Sequence, residues 1–257
     1  MSIESLPPEI LVIVCQSLHY QDIIRLSLAS QTFSEVCQHP VLWKHFKLTI
    51  GSETMSKIKT ILENKRFSCL EELSLVGCEM RDKEVRILLK SSVKRIKIGS
   101  DMDFDKDSSI QEVSPSLLGR LVNSRDGFYY QNWDESLTEH QLTEIFLQMR
   151  DGSQLRSLTI NNNQMLERIP TTLYAASLNK LNTLALPCQD DISFKDFIQQ
   201  MAISSNIKEL DLSYNNLADV PPHTFSQALS KLEESIFLFQ HKMTFVFHRN
   251  CVWPQLV

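Results

Sequence analysis

The groups in this chain that could carry acid–base, nucleophilic or metal chemistry are few and poorly placed for it. His140 stands beside Glu139, with Glu144 four residues on, a set that offers a proton relay or metal ligands on one helix. It lies at a helix start, where polar residues serve as caps and solvent-facing side chains. His241, His248 and Cys251 carry ligand atoms but lack the compact paired spacing of structural zinc sites. His19, His39 and His45 fall in a helical segment and read as surface or cap residues. Cys78 and Cys188 read as small core residues, and with no CxxC pair the six cysteines read as thiols. No G-x-S-x-G elbow or H-E-x-x-H helix is present. Phosphate-cradling loops need clustered glycines, yet Gly51, Gly77, Gly99, Gly119, Gly127 and Gly152 stand far apart. The expected catalytic, metal and cofactor sets are therefore empty. The chemistry left is recognition, through apolar and charged surfaces.

Charge narrows the partners. Lys+Arg number 26 and Asp+Glu 31, a net charge of -5, which gives no general attraction to nucleic acid or to an anionic membrane. Neither is expected as a partner. The longest apolar run, Ile10 to Cys15, is far shorter than the roughly 20 residues a bilayer span needs. The first residues lack the basic start and apolar core of a secretory signal, so cytoplasm or nucleus is the expected location. Hydrophobic residues at 42% and charged residues at 22% are those of a globular chain with a sizeable core.

Two textures must position the recognition surfaces. Residues 4–48 read as short helices. Leu6-Pro7-Pro8-Glu9 opens the first, because proline in the first turn loses no needed N–H and an early carboxylate complements the helix dipole. Ile10, Leu11, Ile13, Val14 and Leu18 then mark a broad apolar face. Asp22 is placed to start a second helix carrying Ile23, Ile24, Leu26 and Leu28, and Thr32 or Ser34 a third with Phe33 and Val36. So small a unit has too little interior for all these side chains, so part of its apolar surface is expected to need a partner.

The spacing of Leu6, Pro7, Glu9, Ile10, Leu11, Leu18, Asp22, Leu26, Phe33, Leu42 and Trp43 resembles an F-box. The pattern fixes proline, tryptophan and apolar spacing together over residues 4–48. It departs from many family members at Phe33-Ser34, where an Arg-Trp-like pair is common.

The remainder carries a repeat. Leu70, Leu73, Leu75, Cys78 and Met80 fit LxxLxLxxC/NxL, as do Leu155, Leu158, Ile160, Asn163 and Met165, and Ile207, Leu210, Leu212, Asn215 and Leu217. Weaker copies start at Val93 and Leu181. Val93 follows Leu70 by 23 residues, and Leu181 and Ile207 each follow the previous copy by 26. These periods fall in the leucine-rich-repeat range of roughly 20 to 29. Between the strand patterns, Leu142, Ile145, Phe146, Met149 and Phe194, Phe197, Ile198, Met201 keep helical spacing. A degenerate copy is expected near 125–137, with a strand near Phe128 to Trp133 after a helix carrying Leu117, Leu118, Leu121 and Val122. Asp101 to Ser114 reads as a protruding loop. The expected fold is α/β: a three-helix F-box at 4–48, a connecting helix or linker at 49–69, about six leucine-rich repeats at 70–235, and an atypical aromatic tail at 236–257. Parallel strands would line the concave face and helices the convex face.

The tail crowds five of the thirteen phenylalanines into its vicinity, counting Phe225, and puts Ser235 where the repeat asks for an apolar residue. Either a strand at 236–239 pairs with the last repeat and closes the solenoid, or the tail departs from that of a longer parent chain.

Alternation within each strand turns the intervening residues toward the concave surface. These are Glu72, Ser74, Arg95, Lys97, Ser157, Thr159, Asn161, Thr183, Glu209 and Asp211, the candidate substrate-binding set. They grade from cationic through neutral to acidic, a polarity that orients a partner; strand ends Gly99, Pro187 and Ser213 are expected on the same face. Together the textures resemble the F-box/leucine-rich-repeat family, whose members are substrate receptors of SCF-type cullin-RING ubiquitin ligases. The resemblance implies that Leu6, Pro7, Glu9, Ile10, Leu11, Ile13, Leu18 and Ile24 dock on a Skp-type adaptor. That adaptor would lead to cullin and a RING subunit, while the repeats hold a protein substrate for ubiquitination. Two other readings stay open: a regulatory competitor that sequesters the adaptor, and a ubiquitin-independent interaction scaffold.

Overall fold

The computed structural model describes residues 3–99, 109–110, 112–132, 136–161, 168–170, 173, 177–187, 195, 197–199, 206–213, 215, 220–221, 223–224 and 227, with the backbone of 234–238 and 244–248. Helix α1, Pro8–Gln16, starts on the proline the sequence marks, with Glu9 in its first turn. Helices α2, Tyr20–Ala29, and α3, Gln31–Val36, follow. Both begin earlier than their expected caps. His19 stands at the head of α2, and Ser30 caps α3 by accepting the Phe33 N–H at 3.3 Å. Asp22 sits instead in the first turn of α2, 3.0 Å from Arg25. A 3-10 turn at Pro40–Trp43 closes the unit and buries Trp43, whose indole N–H donates to the Cys37 carbonyl at 2.8 Å.

The sheet begins at once. Strand β1, Lys47–Gly51, is followed by α4, Ser52–Met55, and α5, Ile58–Leu62, before β2 at Glu72–Val76. The stretch expected as a connecting helix or linker thus holds helices α4 and α5, and it opens on the end of a strand that the expectation lacked. The order continues with α6 (Asp82–Leu89), β3 (Arg95–Ile98), α7 (Pro115–Asn123), β4 (Gly127–Tyr130), α8 (Glu139–Gly152), β5 (Ser157–Ile160), β6 (Thr183–Ala185), β7 (Glu209–Asp211), β8 (Glu234–Leu238) and β9 (Thr244–His248). Strands β1 to β8 pair in parallel in sequence order, and β9 returns antiparallel on β8. β8 continues the sheet as the closing-strand expectation has it, with Ser235 in register with Leu210.

Register aligns the core. Leu48, Leu73, Ile96, Phe128, Leu158, Leu184 and Leu210 form one transverse row, and Ile50, Leu75, Ile98, Tyr130 and Ile160 a second. Apart from the half-buried Leu48, both rows are buried, against Val85, Leu88, Leu117, Leu121, Leu142 and Ile145 of the neighbouring helices. Burying a side chain of this size stabilises by roughly 1.5–3 kcal/mol, so the rows make the stacked units one cooperative body. The degenerate repeat fits because Phe128 and Tyr130 fill positions that leucines hold elsewhere. There Gly99, at φ 103, lets the chain pass: a Cβ would lie 1.9 Å from the Gln131 carbonyl oxygen.

Buried polar groups tie the units. The Arg125 guanidinium donates to the carbonyls of Leu88, Val93 and Ser91, holding the C-terminal end of α6. Burial lowers its pKa from the ordinary arginine value. Gln141 completes a capping box with Thr138 and donates to the Ile110 and Val113 carbonyls at 2.9 Å each. Ser109, Ile110 and Val113 are therefore packed, not protruding: Ile110 and Val113 are buried, and Ser109 bridges to Glu79. Residues 101–108 of the expected loop lie outside the described residues. Asn215 reaches back one repeat to the Leu186 carbonyl at 2.6 Å, and Cys78 does the same toward Ile50 at 3.3 Å. That is why the repeat pattern asks for Asn or Cys there.

Candidate docking surfaces

Helix geometry divides the apolar face of α1. Leu11 and Cys15, four residues apart, turn inward onto Phe33 and Val36, with Leu6, Leu18 and Leu26 packed around them. Ile10, Ile13 and Val14 turn outward, at 43%, 61% and 39% exposure. On α2, Ile23 is buried beside Cys37 and Trp43, while Ile24 and Leu28, four residues apart, face solvent, Leu28 at 83%. Leu11, at 0% exposure, is therefore a core residue and not a contact for a partner. Pro7 and Glu9 are exposed and Leu6 and Leu18 half-buried at the margin. Val14 and Leu28, apolar positions of the two helices that the expected docking set left out, belong to the exposed set. All eight exposed large hydrophobic side chains among the described residues lie between Ile3 and Val41.

The thiols of this unit are not nucleophiles. Burial pushes Cys37 up to about 11, aided by neighbouring Cys15, and burial raises Cys15 as well, so both stay protonated at neutral pH. His140 is exposed on α8, and no cluster of three or more His, Cys, Asp or Glu able to hold a metal occurs among the described residues.

The second surface is the face of the sheet opposite the helices. Residues alternate there as expected: Glu72, Ser74, Lys97, Ser157, Thr159, Asn161, Thr183 and Asp211 are half-buried, Arg95 and Glu209 exposed. Gly99, Pro187 and Ser213, at the ends of the strands, are buried and add nothing to it. The grading of charge is sharper at the first strands and softer at the last. The Glu72 carboxylate is shared by Lys47 at 3.1 Å and Arg95 at 3.4 Å, which leaves that end net cationic. Glu209 accepts from the Thr183 hydroxyl at 2.8 Å, and Asp211 accepts from the Ser213 N–H at 2.8 Å and from its hydroxyl. Between them stands Tyr129, at a position sequence reasoning passed over because the β4 repeat lacks its leucines. Lys97 Nζ lies 4.4 Å from the Tyr129 ring centre, and the Tyr129 hydroxyl reaches Gln131 and Asn161. A cation held against an aromatic face in this way is worth about 0.5–1 kcal/mol at an exposed site, so the pair is a semi-rigid platform at the centre of the face.

A family model described as F-box-like matches residues 3–49, and one described as Leucine Rich Repeat matches residues 206–228. The chain carries an F-box-like domain and a leucine-rich repeat. No curated protein matches it. Only three residues, 44–46, separate the Trp43 turn of the F-box from β1, the first strand of the sheet. Trp43 meets Phe46 and Phe67 edge-on at 5.5 and 5.8 Å, and Arg66 lies over the indole at 5.1 Å. The F-box is thus braced on the first unit of the sheet.

Proposed function

We propose that this protein is the substrate-recognition subunit of an SCF-type ubiquitin ligase. Ile10, Ile13, Val14, Ile24 and Leu28 dock on a Skp-type adaptor, with Leu6, Pro7, Glu9 and Leu18 at the margin. Cullin and a RING subunit follow through the adaptor. The observation that carries the reading is the confinement of exposed large hydrophobic side chains to the F-box, in a chain whose described solenoid hides its own. The open face of the sheet holds the client through Glu72, Ser74, Arg95, Lys97, Tyr129, Ser157, Thr159, Asn161, Thr183, Glu209 and Asp211. From β3 to β7 is four strand steps of about 4.8 Å, so a complementary client segment presents an acidic and a basic group about 19 Å apart. The protein makes and breaks no bond itself. By tethering, it raises the effective concentration of client lysines near a charged conjugating enzyme. It works in the cytoplasm or nucleus.

The test is affinity purification of the intact chain beside an Ile13→Asp, Leu28→Asp variant, read by mass spectrometry. Adaptor, cullin and client are expected with the first, and client alone with the second. Adaptor binding that survives both substitutions overturns the docking surface. Adaptor without client fits a regulatory competitor, and failure to recover any cullin fits a scaffold.

A further inference from the structure

The outer edge of β1 is a third surface, which adjoins both of those above and meets the first at Leu18, Tyr20 and Val41. β1 pairs with β2 alone among the described strands, so one side of its backbone has no ladder partner. An unpaired edge is a template for another strand. This edge opens onto a groove against the F-box, lined on the apolar side by Tyr20, Val41, Leu42, Phe46 and Leu48 and on the polar side by His19, Lys44, His45 and Lys47. The groove shares only Tyr20 and Val41 with the exposed apolar set of the F-box. Lys44 and Lys47 line it, and among the described residues no carboxylate does. Glu71 is shared by Lys44, His45 and Lys94, and Glu72 by Lys47 and Arg95.

Alternation along β1 fixes what fits. Lys47 and Thr49 are in register with Glu72 and Ser74 on the open face, and Leu48 with Leu73 on the core side. A strand added to this edge repeats that alternation, so one set of its side chains meets Lys47 and the other lies over Leu48 and Phe46. We propose that the β1 edge and its groove receive an extended segment of a partner protein in which acidic and aliphatic residues alternate, added to the sheet as a further strand. Main-chain pairing supplies affinity, and the two alternating environments supply specificity. The carboxylates answer Lys44 and Lys47, whose partners Glu71 and Glu72 are shared with Lys94 and Arg95, and the aliphatic side chains cover the apolar lining.

The probe is a fluorescein-labelled peptide, Ser-Glu-Val-Glu-Val-Glu-Ile-Ser, titrated with the full chain and read by anisotropy. It is compared with its isomer Ser-Glu-Glu-Glu-Val-Val-Ile-Ser, which has the same composition and charge without the alternation. The alternating peptide is expected to bind at least tenfold more tightly. Lys44→Gln with Lys47→Gln, which removes both cations without setting a carboxylate beside Glu71 or Glu72, weakens it at least tenfold with the melting temperature little changed. N-methylation of alternate peptide amides in one frame abolishes binding, and in the other frame leaves it within threefold, the signature of one-sided strand pairing. Equal binding of the two isomers, or equal effects of the two methylation frames, overturns the proposal. A concentration-dependent dimer that Lys44→Gln with Lys47→Gln dissociates, with no peptide binding, overturns it in favour of a second copy of this chain.

Discussion

The F-box and the repeat sheet use the same kinds of residue to opposite ends. In the sheet, Leu73, Ile96, Phe128, Leu158 and Leu184 on the successive strands β2 to β6 are each 2% exposed or less, because every unit is covered by the next. In the F-box, α1 and α2 together offer more apolar surface than so few residues can enclose. Helical spacing splits it into an inner set, Leu11, Cys15 and Ile23, and an outer set, Ile10, Ile13, Val14, Ile24 and Leu28. A solenoid satisfies itself by repetition, whereas a minimal helical module is completed from outside.

That contrast can be broken most severely at the outer set. Ile13→Asp with Leu28→Asp is expected to weaken adaptor binding at least a thousandfold in a titration calorimeter. Urea unfolding should shift by no more than about 0.5 kcal/mol, because both side chains already face solvent. Leu11→Ala has the converse signature, a loss of about 2–5 kcal/mol in urea unfolding from the cavity it leaves, and adaptor affinity falls only as far as the folded fraction does. On the sheet side, Arg125→Met leaves the carbonyls of Leu88, Ser91 and Val93 without their donor. It should cost about 3 kcal/mol, seen as early hydrogen exchange in α6 and β3 with the F-box unaffected. Asn215→Ala removes the link to the Leu186 carbonyl and should cost about 1–2 kcal/mol, read in the exchange of β6 and β7 amides.

The smallest effect lies at the join of the two regions. Partial burial alone would raise the pKa of Glu71, but the Lys94 hydrogen bond and the charges of Lys44, Lys94 and His45 outweigh it and hold the carboxyl below its ordinary value of 4.5. The folded state thus favours the ionised form. Its contribution is present above the unfolded pKa and fades as pH falls through the lower folded value. NMR titration should place the Glu71 midpoint below 4.5, and Lys94→Met should move it upward.

Much of this architecture was legible in the residues. Wherever LxxLxL stands, at Leu70, Leu155 and Ile207, the period-2 alternation fixed both strand and face; the strand expected by elimination near Phe128 to Trp133 stands at Gly127–Tyr130, with position 133 outside the described residues. β1 escaped because Leu48 and Ile50 carry the alternation without the leucine that normally precedes it, so two apolar residues were too few to separate strand from linker. Leu11 was misplaced for a different reason. Ile10, Leu11, Ile13 and Val14 span more than half a helix turn, and periodicity measures such a face without saying which half a neighbouring helix covers. Only the positions of Phe33 and Val36 decide that. Tyr129 was invisible because an aromatic at an intervening strand position has no sequence signature apart from its neighbours Lys97 and Asn161.

The three residues between Trp43 and β1 span at most about 10 Å fully extended, and the Trp43–Phe46–Phe67 contact takes up what slack they have. The join resembles a fixed bracket more than a tether. In the proposed receptor role, a cargo seated on the sheet would be presented at one height and one angle, so selection among its lysines would fall to their location in space, with local sequence around each lysine secondary.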